Sequence, residues 1–224
     1  MELKERHRKP YIGLPMEGGV ARRYADQRRS GEQLGQFQRQ AHELTAGLPD
    51  GAAILEVAPG PGYLAIELAG NGRFSVTGLD ISRTFVELAR SKAQESGADV
   101  DFRLGDVANM PFGPGSFDLV VSQAAFKNFA RPAQALEEIH RVLRAGGRAV
   151  IQDMTRDASD ADIDNEVKVM ALGGFSSFTT KVILKKLRRR AYSPGQFERL
   201  VAGSPFRTCE IHQGGIGLEV RLKK

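Results

Sequence analysis

The stretch Ile54–Ala69, ILEVAPGPGYLAIELA, limits the possible folds more than any other part of the chain. β-Forming residues run to Val57, a short turn Ala58-Pro59-Gly60-Pro61-Gly62 follows, and apolar residues then recur with helical spacing. A strand that passes through so tight a turn into a helix must lay that helix back on its own sheet. The unit then repeats. A second strand is expected over 74–80. Helix 82–96 starts at Ser82, buries Phe85, Leu88, Ala89 and Ala93, and stops at Gly97. Residues 100–106 and 117–122 are expected as strands three and four. Helix 132–144 places Leu136, Ile139, Val142 and Leu143 on one side, stops at Gly146-Gly147, and leads to strand five over 148–154. This alternation predicts an α/β fold with a parallel sheet and helices on both faces.

The two ends of the chain depart from the repeat. Ahead of it, residues 30–47 are expected as a helix opened by a capping box at Ser30-Gly31-Glu32-Gln33, with Leu34, Phe37, Ala41 and Leu44 on one face. After it, Ser193-Pro194-Gly195-Gln196 caps a short helix bearing Phe197, Leu200 and Val201. The segments FRTCEIHQ and LEVRL around GGIG then predict an antiparallel pair. Residues 155–192 are too long for an ordinary connection and are expected as a cap insert. Four parts result: an N-terminal helical segment 1–50, an α/β core 51–154, the cap 155–192, and a C-terminal helix and hairpin 193–224.

With 224 residues, 41% of them hydrophobic, the chain can build one domain with a full core. Its apolar runs are too short to span a bilayer, and the N-terminus MELKERHRKP has no apolar stretch behind its charges; a soluble, unexported, cytoplasmic protein is expected. The single cysteine, Cys209, permits no internal disulfide and is expected as a small core residue in a strand. His7, His42, His140 and His212 are scattered, so no metal site is expected. The formal net charge of +5 is concentrated in KVILKKLRRR, residues 181–190. That run suits phosphates, an anionic surface or an acidic substrate; alternatively it is a solvated helix face whose Val182, Ile183, Leu184 and Leu187 pack inward.

Gly60-x-Gly62-x-x-Ala65 matches a turn whose missing side chains let backbone approach a ligand, and Asp80 stands 20 residues beyond Gly60, suited to a ribose diol. This pair fits NAD or any other adenosine-bearing cofactor. Three features favour S-adenosylmethionine. Glu56, inside strand one, suits an ammonium group and gains nothing from a pyrophosphate. Pro59 and Pro61 remove two N–H donors from the loop, which weakens an anion cradle. Gly105-Asp106 closes strand three, where a carboxylate can accept from an adenine amino group.

The motifs EVAPGPG, VTGLDIS, LGDVANMPF and FDLVVSQAAFKNFARPAQALEEIHRVLRAGGRAVI resemble those of class I S-adenosylmethionine-dependent methyltransferases, in the small-molecule branch that includes the ubiquinone and menaquinone C-methyltransferases. The resemblance implies a Rossmann-like seven-stranded sheet, six strands parallel and one C-terminal strand antiparallel. It implies that Glu56, Ala58, Gly60 and Gly62 line the methionine part, Asp80 and Ile81 the ribose, and Asp106 and Val107 the adenine. Ser122 and Gln123 would lie beside the sulfonium, and Tyr24 would fold over the cofactor as part of an N-terminal segment covering the site. Ala58 stands where the family usually has glycine. Many relatives carry histidine near Phe126 to Asn128; this chain has none there, so no general base is assigned. Asp153, ending strand five, is either a base or a strand-end cap, and Lys127 is expected to be solvated. Phe126, Asn128, Phe175 and Phe178 are candidates for the acceptor pocket.

The expected function is methyl transfer from S-adenosylmethionine to an O, S, N or C nucleophile of a small, mainly apolar or acidic molecule, with weak association with anionic surfaces. The alternative is an RNA or protein methyltransferase using the 181–190 run. The segment SQAA after strand four lacks the Asp/Asn-Pro-Pro-aromatic type used for base amines, which disfavours nucleic acid.

Overall fold

The computed structural model describes residues 11–12, 16–27, 31–70, 72–170 and 174–224. Two helices come first, α1 (Gly18–Gln27) and α2 (Gly31–Thr45). The repeating units follow as β1 (Ala53–Val57), α3 (Tyr63–Ala69), β2 (Ser75–Asp80), α4 (Arg83–Ser96), β3 (Val100–Leu104), β4 (Phe117–Gln123), α5 (Pro132–Val142) and β5 (Leu143–Met154). The segment expected as a cap holds α6 (Asp160–Val169) and α7 (Gly174–Arg188), and the chain continues with α8 (Pro194–Ala202), β6 (Glu210–Gly214) and β7 (Gly217–Lys223).

The seven strands form one sheet in the order β3-β2-β1-β4-β5-β7-β6. β1 to β5 are parallel, and β7 is antiparallel to both β5 and β6, so six strands run one way and β7 the other. Apolar side chains of each strand divide between two cores. On one face Leu55, Val57, Val120 and Ile151 pack against α5 and α8 through Leu136, Ile139, Phe197 and Val201. On the other, Ile54, Val76, Leu119 and Val121 pack against α2, α3 and α4 through Phe37, Leu44, Leu64, Leu68 and Val86. Burial on both faces explains why these strands are continuous apolar runs rather than alternating ones.

Four sequence expectations are corrected. Gly146-Gly147 is not a break between helix and strand: β5 already begins at Leu143, and a register irregularity opposite Phe117 and Leu119 absorbs the glycine pair, with Gly146 at φ +80°. β3 ends at Leu104, leaving Gly105-Asp106 in the following loop. Cys209 lies just before β6 and is half-buried at the edge of the core; burial first, then the charge of Glu198, pushes its thiol up. Val182 and Ile183 do not pack inward but are 53% and 57% exposed; only Leu184 and Leu187 reach the small cluster of Met154, Ile163 and Ala191. Ser30, the expected cap of α2, lies outside the described residues.

Candidate cofactor and acceptor site

The sheet order reverses between β1 and β4, which opens a crevice beyond the carboxyl ends of the strands. A cavity of about 900 Å³ occupies it, walled by the loops after β1 to β5, by α1, by α7 and by the β6–β7 turn.

The β1 loop is held in an unusual backbone. Ala58, Gly60 and Gly62 have φ of 57°, 57° and 80°, the left-handed region that an alanine occupies only at a cost. The Ala58 N–H donates to Leu79 O at 2.8 Å, and the Gly60 N–H donates to Asp80 Oδ2 at 2.9 Å. Asp80 Oδ1 accepts from the Ser82 N–H at 2.8 Å. Asp80 therefore laces the β1 loop to the start of α4 while its edge faces the cavity. Burial pushes its carboxyl up to about 6. Gly62 does another task. A Cβ on it would stand 2.7 Å from the Phe102 ring and 2.9 Å from Ala89 Cβ, so its bareness seats α3 against β3 and α4, and it is not part of the cavity wall.

Glu56 is 2% exposed and forms part of the wall. The Ala65 N–H, in the first turn of α3, bonds to its carboxyl, but Oε2 has no partner. Burial, and secondarily the charge of Asp80, pushes this carboxyl up to about 8. An unpartnered carboxylate oxygen buried beside a glycine turn is a place prepared for a donor, and a cationic donor would relieve the cost of ionising it.

The remaining cofactor candidates are distributed around the same cavity. Ile81, Asp106, Val107 and Gln123 line it. Asp106 accepts from the Ala108 N–H through Oδ1 at 2.9 Å and pairs with Arg131 through Oδ2 at 2.5 Å. Gln123 donates from Nε2 to Gln40 Oε1 at 2.9 Å, tying β4 to α2. Ser122 does not reach the wall; it is 1% exposed and its Oγ has no hydrogen-bond partner. Tyr24 lines the cavity and meets Phe85 edge-on, 5.9 Å between centroids. Its helix is anchored: Tyr63 Oη donates to Ala25 O at 3.0 Å, and Glu17 accepts from the backbone of Arg83 and Thr84 at 2.9 and 3.1 Å.

The other end of the cavity is built from β4, β5 and α7. Lys127 is buried, correcting the expectation of a solvated side chain. Its Nζ donates to Asp153 Oδ1 at 2.7 Å and to Ala124 O, and its N–H donates to Asp153 Oδ2 at 2.9 Å. Both side chains are 5% exposed and both line the cavity. Asp153 thus already holds a cation. Beside it, Gln152 donates to Glu219 Oε2 at 2.8 Å and leaves its own Oε1 buried without a partner. Asn128 lines the wall as well, and α7 contributes Ile183, Leu184, Lys186, Leu187 and Arg190. Phe126 is 1% exposed in an aromatic cluster with Phe129, Tyr192 and Phe197 and does not reach the cavity. Phe178 is 66% exposed on the outside of the cap, and the Phe175 side chain lies outside the described residues. Sequence reasoning missed Gln152, Ala124 (φ 55°) and Ile216 as wall residues. Their one shared signal was a place at a strand end or in the hairpin turn. Among the described residues no histidine lines the cavity and no group of metal-holding side chains is gathered.

Comparison with known proteins fits this arrangement. Residues 55–151 match the family described as a methyltransferase domain. The chain is 31% identical over 175 residues to the ubiquinone/menaquinone biosynthesis C-methyltransferase UbiE of Geotalea daltonii, covering 74% of each chain. It is 37% identical over 110 residues to that of Geotalea uraniireducens, covering 47% of each. The chain spans about half the length of the first curated relatives it matches, 47%, 57% and 44% in three of them. A solved structure described as an S-adenosyl-L-methionine-dependent methyltransferase from Methanococcus maripaludis shares the fold over 95% of both chains, with a TM-score of 0.71 and 22% identity. The chain belongs to the class I S-adenosylmethionine-dependent methyltransferases, and UbiE is among its relatives. Among the described residues no helix is long and apolar enough to cross a membrane.

Proposed function

We propose that this chain transfers the sulfonium methyl of S-adenosylmethionine to a nucleophilic O, S, N or C atom of a small, mainly apolar or acidic acceptor. The single observation that carries the reading is Glu56 Oε2, buried in the cavity wall with no partner beside the Gly60 turn. The residues fit the cofactor. Glu56 would take its ammonium, the Ala58–Gly60 backbone its methionine part, Asp80 and Ile81 its ribose, and Asp106 and Val107 its adenine, with Tyr24 over it. When bound, the cofactor supplies a methyl already activated by positive charge on sulfur.

The chain's own residues then orient the acceptor and exclude water. The segment 155–192 serves as the acceptor-side cap, with Leu184 and Leu187 giving an apolar wall. Lys127, Lys186 and Arg190 face the same space, whereas Asp153 is occupied by Lys127 and no histidine among the described residues lines it. Such a wall favours an acceptor whose nucleophile ionises on its own and is held as an anion. The UbiE relatives are named as C-methyltransferases, which makes an activated carbon the first acceptor to test.

The alternative, a nucleic-acid or protein substrate held by residues 181–190, is weakened by the pairing of three of the run's six cations. Lys181 pairs with Asp164 at 2.9 Å, and Lys185 and Arg188 pair with Asp160 at 2.7 and 2.9 Å. The test is thermal stabilisation by S-adenosylmethionine, S-adenosylhomocysteine and NAD in parallel. Saturation at about 100 times the dissociation constant adds roughly 2.7 kcal/mol to the native state. Stabilisation by the two sulfur compounds but not NAD, lost in Asp80→Ala, is expected; stabilisation by NAD alone would overturn the reading.

A further inference from the structure

The outer side of the cap carries a pattern that the cavity uses only in part. Nine large hydrophobic side chains are strongly exposed among the described residues, and five belong to the cap: Val169 63%, Met170 38%, Phe178 66%, Val182 53% and Ile183 57%. The other four, Ile12, Val20, Ile81 and Leu104, come from separate segments. Concentration on one cap is the mark of an interaction face, where isolated exposed residues would mean little.

On α7 the exposed residues fall in register. Phe178, Val182 and Lys186 follow one another at spacings of four, which is one line along the helix, and Arg189 is exposed in the turn that follows it. The line is apolar in its first half and cationic in its second. The neighbouring edge of α7 is neutralised by α6 through the Asp160 and Asp164 pairs, while Lys186 and Arg189 have no ion-pair partner among the described residues. Lys186 of this line also forms part of the cavity wall, as do its neighbours Ile183 and Arg190. The exposed face and the cavity mouth are therefore continuous.

We propose that the α6–α7 cap docks on an anionic bilayer surface, with Phe178 and Val182 entering the interfacial layer and Lys186 and Arg189 at the headgroups. The mouth beside Ile183 would then receive its acceptor from the lipid phase; that last clause rests on the methyl-transfer reading, whereas docking does not. Charge complementarity selects an anionic surface, and the aliphatic residues select a bilayer. A nucleic acid would engage the cations but give Val169, Val182 and Ile183 nothing to bury against. Long cationic side chains beside apolar ones match the layered polarity of a membrane interface.

The test is co-sedimentation of the full chain with vesicles of phosphatidylcholine alone and of phosphatidylcholine with phosphatidylglycerol, at low and raised salt. Binding to the phosphatidylglycerol vesicles, weakened by salt, is expected. The double variant Phe178→Ser/Val182→Ser and the single variant Arg189→Glu should each weaken it by roughly fivefold or more. Both should keep the wild-type melting temperature and its shift with S-adenosylmethionine, which shows that fold and cofactor site survive. Absence of binding to anionic vesicles at low salt overturns the proposal. So does binding that neither variant changes. Tight binding to a short RNA, lost only in Arg189→Glu, would assign the face to nucleic acid instead. A wild-type dimer made monomeric by Phe178→Ser/Val182→Ser would assign it to a second copy. Failure of S-adenosylmethionine to stabilise any of these proteins would refute the methyltransferase reading and leave docking standing.

Discussion

Glu56 and Asp80, at the ends of adjacent strands β1 and β2, are two buried carboxyls around one glycine turn, each pushed up by burial, to about 8 and about 6. Asp80 is satisfied by the backbone of the turn; Glu56 is left with a bare oxygen. The two carboxyls therefore answer differently to a ligand.

Cofactor binding should release a proton. With its carboxyl at about 8, Glu56 is protonated at neutral pH in the free protein, and a bound ammonium requires the carboxylate. Affinity for S-adenosylmethionine should rise by up to about tenfold per pH unit. It should peak near pH 8, where an α-amino group of ordinary pKa, about 7.7–8.0, starts to lose its own proton. Calorimetry in buffers of different ionisation enthalpy measures the proton directly. Glu56→Gln should weaken binding and abolish the release; an unchanged proton count in that variant would exclude Glu56 as the ammonium partner.

The ligand-free protein should lose stability as pH rises. Both carboxyls have folded values above their ordinary 4.5 and 3.8, so the native state holds more protons than the unfolded one. Their contribution is complete below about pH 4, falls as Asp80 ionises toward about pH 6, and falls further as Glu56 ionises toward about pH 8. A loss of a few kcal/mol is expected. Chemical denaturation at a series of pH values tests it, and Glu56→Gln should flatten the upper part of the curve.

Lys127→Met should destabilise the protein by up to about 3–5 kcal/mol, because it takes the charge partner from the buried Asp153 carboxylate and leaves it the backbone N–H groups of residue 127 and Met154. The double change Lys127→Met/Asp153→Leu should cost much less than either single change suggests. Urea midpoints for the three variants decide this, and additive losses would show that the pair does not act as a unit.

Ala58→Gly should stabilise the fold by about 1 kcal/mol by relieving a left-handed alanine. Gly62→Ala should do the reverse, losing roughly 1–3 kcal/mol or more, since its methyl would meet Phe102 and Ala89 inside van der Waals contact. Melting temperatures of the two variants should move in opposite directions.

The succession of strands and helices along the chain and most of the helical faces were legible because they rest on local periodicity. Leu136, Ile139 and Val142 announce a packed helix side, and the Gly60 turn announces a β–α junction, although Leu143, expected on that same helix face, opens β5. The buried pair was not legible, because Lys127 and Asp153 lie 26 positions apart and only the adjacency of β4 and β5 brings them together. Val182 and Ile183 were misjudged for a related reason. Helical spacing shows that a face is apolar, but whether anything covers it depends on where α7 lies, which its own sequence does not encode. The Gly146-Gly147 pair misled by its usual meaning as a helix stop, since a strand can also take up two glycines in a bulge.

The position of β7 bears on how the chain is made. It is made after the other six strands, yet it lies inside the sheet between β5 and β6. Until residues 217–223 leave the ribosome, β5 is the bare rim of a parallel sheet, with an open ladder of backbone donors and acceptors. A nascent chain halted after β5 would hold most of the cavity wall and still expose an edge able to recruit another copy. Premature termination should therefore yield aggregates or chaperone-bound chains rather than a shortened enzyme.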